Sequence, residues 1–579
     1  MMKKLLVSLL SALLCISVVA EPEIQSDVNQ NGSDVKIDEK GDVFVSPLKY
    51  HISSDSTAEV IYDRSYKDLK SVVIPSKIRI LGHVYPVTSI GMYAFLGCRG
   101  LTRVEIPLGV TSIGKGAFYD CSGLTRVEIP LGVTSIGKGA FFGCNGLTSI
   151  EIPSSVTIIG DEAFCDCWSV TNIKIPSSVM IIGDEAFVRC GDLTSIEIPS
   201  SVTSIGNLAF FCCYRLTSIK IPSSVTSIGE HAFTGCSGLT SINVSGDNLY
   251  YSSEEGILYD KNKTVLICIP GGKKGSVEIP SSVKSIEKGT FLECSGLTSI
   301  NVSIDNPNYS SEEGILYDKN KTVLISVSRE KEGMVEIPSS VTIIGDEAFR
   351  DCHGLRSVKF PKSVTSIGKY AFSGCNGLTS IEISKSVTSI GEYAFSGCNG
   401  LTSIEIPKSV TSIGEYAFTL CSGLTSINVS RNNPNYSSVD GILYDKNKTV
   451  LISVPYRKKG MFKMLSSVTS IGNGAFDYCR DLTSIEIPSR VTSIGDHAFR
   501  DCRGLTSIEI PSSVSSIGEY AFVNCKGLTS IKIPSSVTFI GVFAFKNCKN
   551  LDVIIDNSEK NVSVGKDAFE GCKSVKFLK

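Results

Sequence analysis

The chain carries 21 cysteines, and thiols are the residues here with the widest chemical repertoire: zinc binding, disulfide formation and nucleophilic attack. Their spacing decides between those roles. Seventeen recur at one position of a repeated segment, among them Cys98, Cys121, Cys144, Cys167, Cys190, Cys213 and Cys236, each 23 residues after the last. A metal site needs two to four ligands at C-x-x-C-like spacing. A spacing of 23 instead stacks one thiol per repeat in a column. Turns ~5 Å apart satisfy the Cα distance of a disulfide, yet parallel stacked side chains do not point at one another. The column therefore reads as a buried ladder of small apolar thiols. Cys165, Cys212 and Cys268 lie off it, and a disulfide between an off-ladder and a ladder thiol stays open at this point.

Other chemistry is thinner. The histidines His51, His83, His231, His353 and His497 are scattered; His231 and His497 share a repeat position but lie many repeats apart. There is no H-E-x-x-H, G-x-S-x-G or phosphate loop, and GGKKG at Gly271 lacks the spacing and the Lys-Ser/Thr end of one. The expectation is no enzyme, no catalytic residue, no metal and no cofactor. A net charge of −2 gives no basic excess, so no nucleic-acid partner is expected.

The elements that carry the thiols are short. In LTSIEIPKSVTSIGEYAFTLCSG (Leu401 to Gly423), Leu401, Ile404 and Ile406 alternate with outward Ser403 and Glu405, the period of a half-buried strand. Pro407 stops that strand because it has no N–H for the ladder. Val410, Ile413 and Gly414 predict a second short extended piece and a bend, and Ala417, Phe418 and Cys421 return to the core. Only a turn, a 3-10 stub or a scrap of helix fits between Gly414 and Cys421. A fixed 23-residue period over a 579-residue chain means a solenoid, since each unit contacts only its neighbours and the array escapes the size limit of a single core. The fold class is a β-rich repeat solenoid of parallel stacked short strands.

Three units, starting at Leu239, Leu297 and Leu424, are 58 residues long, which is 23 plus an insertion of 35. Each insertion contains GILY and TVLI around Asp-Lys-Asn-Lys, which predicts a β-hairpin. The expected organisation is a signal peptide at 1–20, a flexible spacer at 21–42, an N-terminal β cap at 43–68 and the solenoid at 69–579, with insertions at about 246–276, 304–334 and 431–461. Lys3 and Lys4 precede an apolar run from Leu5 to Val19, and Val18-Val19-Ala20 offers a cleavage site before Glu21. No membrane span is expected once that segment is removed.

The near-verbatim recurrence of IPSSVTSIGxxAFxxC resembles the leucine-rich repeat superfamily, specifically the bacterial surface-antigen class typified by BspA. The resemblance covers about Leu69 to the C-terminus. It departs from ordinary leucine-rich repeats in placing Pro and Ser after the strand. It implies a secreted or cell-surface protein, with the periplasm as the other compartment, that adheres to host matrix or surface proteins or to neighbouring cells.

The surface is where such binding would reside. The outward strand positions Arg103, Glu105, Arg126, Glu128, Glu151, Lys174, Glu197, Lys220, Lys359, Glu382, Glu405, Glu486, Glu509 and Lys532 form one candidate face for protein ligands. The same row also serves as an ordinary solvated sheet face. The insertions bring Tyr259, Tyr317 and Tyr444 as a second set of candidate contacts. The alternative is a structural spacer of the cell envelope in which the array only supplies length.

Overall fold

The computed structural model describes residues 35–578. The expected signal peptide at 1–20 and the first part of the expected spacer lie outside those residues. The chain divides into two compact units, one of residues up to 274 together with 282–296, the other of 275–281 together with the residues from 297 on.

The first unit opens with an antiparallel meander. Val35–Ile37 pairs with Val43–Val45, which pairs with Leu48–Ile52, and that strand pairs with Ala58–Val60. Residues 35–42, expected as spacer, therefore belong to the first hairpin: Val35 and Ile37 sit opposite Val45 and Val43, and this pairing outweighs the polar composition of the stretch. Ala58–Val60 then runs parallel to the end of His83–Ile90, where Ser89 and Ile90 take the register of Ser112 and Ile113. The short 3-10 turn Arg64–Asp68 buries Tyr66, whose ring packs 5.3 Å from Phe95. The meander thus closes the end of the array with backbone partners and an aromatic lid.

Each turn of the solenoid contains three backbone ladders. In the long-strand ladder Ser149, Ile150 and Glu151 pair with Asn172, Ile173 and Lys174, which pair in turn with Ser195, Ile196 and Glu197. After the proline, a serine hydroxyl caps a carbonyl of the previous turn, as Ser178 does to Val156 at 2.6 Å. The short-strand ladder follows, with Ile158–Ile159 between Ser135–Ile136 and Ile181–Ile182. The third ladder lies between the short strand and the ladder cysteine. Glu162, Phe164 and Asp166 donate their N–H groups to the carbonyls of Asp184, Ala186 and Val188 at 2.7–2.8 Å. Glu162 and Asp166 hold left-handed φ of 54° and 57° to aim those groups along the stack. Because the neighbouring turn satisfies the backbone, no intrachain helix is needed. The glycine after the short strand is imposed by this stacking: a Cβ on Gly160 would sit 2.5 Å from the Ile136 carbonyl oxygen.

The core repeats with the backbone. In the first unit Phe95, Phe118, Phe141, Phe164, Phe187, Phe210 and Phe233 stack face to face with centroids 5.1–5.8 Å apart. The second unit has one such column from Phe349 to Phe418 and another from Phe476 to Phe569. Its core divides at the third insertion. Full burial of a Phe side chain contributes about 1.5–3 kcal/mol, and each column Phe adds this to the Leu, Ile and Val buried in the same turn.

Each insertion is a three-stranded meander rather than a two-stranded hairpin. Ile257–Asp260 pairs antiparallel with Tyr251–Glu254 on one side and with Val265–Cys268 on the other. Val265–Cys268 then joins the short-strand ladder in parallel with Ser285–Ile286. In the second unit Val323–Ser326 and Val450–Ser453 do the same, and Gly333–Glu336 and Gly460–Lys463 enter the long-strand ladder. An insertion thus supplies an extra turn of the two strand ladders.

Candidate functional site

The thiol column is structural. Cys398 donates its S–H to the Phe372 carbonyl of the turn before at 3.1 Å, and the same bond runs from Cys421 to Phe395 and from Cys525 to Phe499. That carbonyl also accepts the Cys375 N–H at 3.2 Å, so the thiol fills its second lone pair where a larger residue would not fit. All described cysteines are free, and all but Cys572 are buried. No disulfide forms among the described residues, which closes the option left open for Cys165, Cys212 and Cys268. Burial pushes Cys421 and Cys352 up to about 12, far from the depressed value of a nucleophile. Among the described residues no three His, Cys, Asp or Glu side chains are placed to hold a metal ion.

The outward strand face is real as geometry. Every predicted residue of that row, from Arg103 to Lys532, is exposed, and backbone pairing holds several neighbours in register, Arg103 with Arg126, Glu151 with Lys174, Lys174 with Glu197 and Lys359 with Glu382. Its charges are only partly used by the fold. Arg103 pairs with Glu105 at 3.0 Å and Arg126 with Glu128 at 2.9 Å, each within its own strand. In the second unit Lys359 reaches Glu336 at 2.6 Å and Lys532 reaches Asp556 at 3.6 Å. Glu486 is taken by Lys463 at 3.0 Å. Glu128 lies directly opposite Glu151 in the ladder, and Lys174 lies opposite both Glu151 and Glu197.

The insertion tyrosines are not a contact surface. Tyr259, Tyr317 and Tyr444 are 2%, 1% and 1% exposed, and burial pushes each phenol up to about 12. The reason is that Ile257, Leu258 and Tyr259 lie on the middle strand of a meander that packs on the solenoid, so all three are covered. Tyr251 and Tyr436 instead act as anchors, their hydroxyls accepting the N–H groups of Ile228 and Ile413 at 2.9 Å. Fully buried Asn248 and Asn433 fix the start of their insertions. Asn433 donates to the Pro407 and Val410 carbonyls and accepts from Asn435 and Tyr436.

Because the inserted turn carries no Ala-Phe segment, the flanking turns meet across it. Tyr416 crosses to Gly474, Thr419 donates to buried Asp477 at 2.7 Å, and Asn473 donates to Glu415 at 3.0 Å. A cleft of about 180 Å³ remains, lined by Tyr416, Thr419, Tyr436, Ser453, Asn473 and Gly474. It leaves Ile413, expected in the core, only half buried. Arg500 clamps Asp477 through Nε and Nη2. Burial raises Asp477 above the ordinary carboxylate value while Arg500 pulls it down. A larger open groove of about 440 Å³ runs along Ser366, Ser389 and Ser412 over a glycine floor. It is shallow, and its rim charges Lys369 and Glu392 pair with each other at 3.2 Å.

Two surface residues escape a reading focused on the strand row: Trp168 and Tyr214, 42% and 40% exposed with ring centroids 6.3 Å apart. The available signal is their shared repeat position, the one after the ladder cysteine, where neighbouring repeats place Ser122, Asn145 and Ser237.

The repeats match a known family. A family model of the BspA-type leucine-rich repeat region matches residues 61–190, 157–256, 273–319, 331–439 and 460–576. A leucine-rich cell surface protein from Faecalibacterium prausnitzii is 30% identical, with 78% of this chain and 94% of that chain covered and a TM-score of 0.41. A leucine-rich repeat protein of T. pallidum is 32% identical over 33% of this chain and 87% of its own, with a TM-score of 0.30. The pneumococcal vaccine antigen PcpA is 16% identical, covering 94% of this chain and 98% of its own, with a TM-score of 0.35. A comparison with curated proteins finds no match. The chain, with its repeats matched over most of its length, belongs to the BspA-type leucine-rich repeat family.

Proposed function

We propose that this protein is a secreted or cell-surface scaffold that binds other proteins through its outward strand face, adhering to host matrix proteins or to neighbouring cells. The observation that supports the reading is the charge pattern of that face. Like charges directly opposite in a ladder cost stability, and Glu128 faces Glu151. Among the described residues Glu151, Lys174 and Glu197 form no ion pair within 4.0 Å, although the ladder brings opposite charges alongside. These charges are left without a close ion-pair partner in the fold, and a protein partner of complementary charge would engage them.

The test immobilises residues 21–579 and measures binding to a panel of matrix proteins, with Glu128→Lys plus Glu151→Lys as the altered face. At least one saturable interaction, weakened tenfold or more in the altered protein and by added salt, is the expected result. No binding above a denatured control, or equal binding by both proteins, rejects the reading.

A further inference from the structure

Beyond the third insertion the surface of the second unit changes charge at one corner. The residue after the ladder cysteine is His353, Asn376, Asn399 and Ser422 in the turns before the insertion. In the turns after it the same position is Arg480, Arg503, Lys526, Lys549 and Lys573, all exposed. The insertion itself exits through Arg457, Lys458 and Lys459 with no acid among them, whereas the second insertion interleaves Glu330 and Glu332 with Arg329 and Lys331. These corners stack directly. A Cβ on Gly504 would strike the Arg480 carbonyl, one on Gly527 would strike the Arg503 carbonyl, and Asn550 donates to the Lys526 carbonyl at 3.2 Å. With turns ~4.8 Å apart, the cations from Lys459 to Lys573 form a stripe ~24 Å long.

The fold neutralises only part of that stripe. Lys459 reaches Asp481 at 3.6 Å, Arg503 reaches buried Asp501 at 2.6 Å, and Lys573 reaches Asp552 at 2.6 Å. Among the described residues Arg457, Arg480, Lys526 and Lys549 form no ion pair within 4.0 Å. The residues that open the next long strand beside them, Thr483, Thr506 and Thr529, are exposed and neutral. Like charges held one turn apart repel. A polyanion laid along them relieves that repulsion and sheds the counterions condensed on its own charges.

The stripe also bears on which polyanion. It is one cation wide, the footprint of a single chain charged along its length. The ring beside Arg480, Tyr478, is covered by Arg480 and Arg500, whose guanidinium carbons lie 5.3 and 5.1 Å from its centroid. It therefore presents no open face for a stacked base, the usual platform for single-stranded nucleic acid. Sulfate esters need no platform: they accept paired N–H groups from a guanidinium fork and point-charge contacts from lysine. We propose that Lys459, Arg480, Arg503, Lys526, Lys549 and Lys573 form a binding stripe for a linear sulfated polysaccharide of the glycosaminoglycan type. This goes beyond the protein-binding reading and does not rest on the strand face.

In the test, full-length protein is titrated into a labelled heparin oligosaccharide and anisotropy is followed. The same oligosaccharide after desulfation and a labelled oligothymidylate are the other arms. The titrations are repeated with Arg480→Ser plus Lys526→Ser plus Lys549→Ser, serine being the residue at Ser422. A matched variant, Lys36→Ser plus Lys40→Ser plus Lys77→Ser, removes the same charge from exposed lysines of the first unit. The expected result is saturable binding to the sulfated chain that falls steeply with added salt, about tenfold weaker or more in the stripe variant and unaltered in the matched one. No saturable binding, equal binding to the desulfated chain, binding to the oligothymidylate as tight as to heparin, or a loss in the stripe variant no greater than in the matched one overturns the proposal. The matrix-protein panel is read separately with Glu128 and Glu151, so failure of the stripe and failure of the strand-face reading are distinguishable.

Discussion

The ring of Tyr416 lies over the backbone of Gly474, the residue at the same repeat position in the next repeat beyond the third insertion: a Cβ on Gly474 would be 2.5 Å from Cδ1 and Cε1 of the tyrosine. The left-handed φ of 61° at Gly474 is not what calls for glycine, because Tyr393, Tyr416 and His497 hold φ of 52–57° at the equivalent positions. The tyrosine is. Having passed over Gly474, it reaches the edge of His497 at 5.8 Å, and His497 stacks on Tyr520 at 4.8 Å.

Gly474→Ala is therefore expected to destabilise the second unit by about 1–3 kcal/mol, the range for overpacking. Tyr416→Ala made together with it recovers the steric part. Chemical denaturation of the two single variants and the double variant gives the coupling; an additive result means that the ring is not the obstacle.

Arg500→Ala leaves the carboxylate of Asp477, whose side chain is 1% exposed, without its cation. Breaking a buried pair in this way costs about 3–5 kcal/mol, and the quarter-exposed Arg500 puts the expected loss at the lower end. The sign with pH follows from protonation. A lone buried Asp477 has a pKa raised further above its unfolded value, so the penalty grows as pH rises past the ordinary carboxylate value and shrinks below it. Denaturation of wild type and Arg500→Ala at pH 7 and at pH 4 checks this; a penalty equal at both rejects it.

His497 is pushed down to about 4 by burial and by Arg500, and among the described residues its Nδ1 has no hydrogen-bond partner. The unfolded chain then takes up a proton that the folded chain refuses. The stability linked to this group is whole above about pH 6.5 and is lost as pH falls toward 4. His497→Tyr, which places at this position the residue found at Tyr520, is expected to flatten that part of the stability–pH profile. An unchanged slope in urea denaturation between pH 6.5 and 4.5 counts against it.

Native protein is expected to react very little with a thiol reagent at pH 8, because the fold covers every described column thiol but Cys572. The half-buried Cys572, itself raised to about 12, is the first described thiol to respond as the C-terminal turn opens. Addition of denaturant then releases the rest in full. Rapid titration of several thiols in the native state rejects the column as described.

Tyr317→Ala is expected to cost about 3–5 kcal/mol of stability, as for other large-to-small core changes, and to leave binding by the folded protein unaltered. Weaker binding at unchanged stability returns the insertion tyrosines to the contact surface.

The sequence by itself determined the solenoid and most of its core. A 23-residue unit is too short to bury its own apolar face, so a fixed period forces each unit onto its neighbour, and alternation then assigns Leu401, Ile404 and Ile406 inward and Glu405 outward. The thiol column follows from the same period. Tertiary structure alone decided what depends on contacts between turns. It showed that the turn from Glu162 to Asp166 is satisfied by the next turn rather than by a helix, because those N–H groups find their carbonyls 22 residues on. It buried Tyr259, Tyr317 and Tyr444, since that strand is paired along both edges and covered on both faces, which local alternation cannot report. It brought Trp168 and Tyr214 together over Gly191, a contact that exists only because two successive turns stack in register and both rings lean toward the gap.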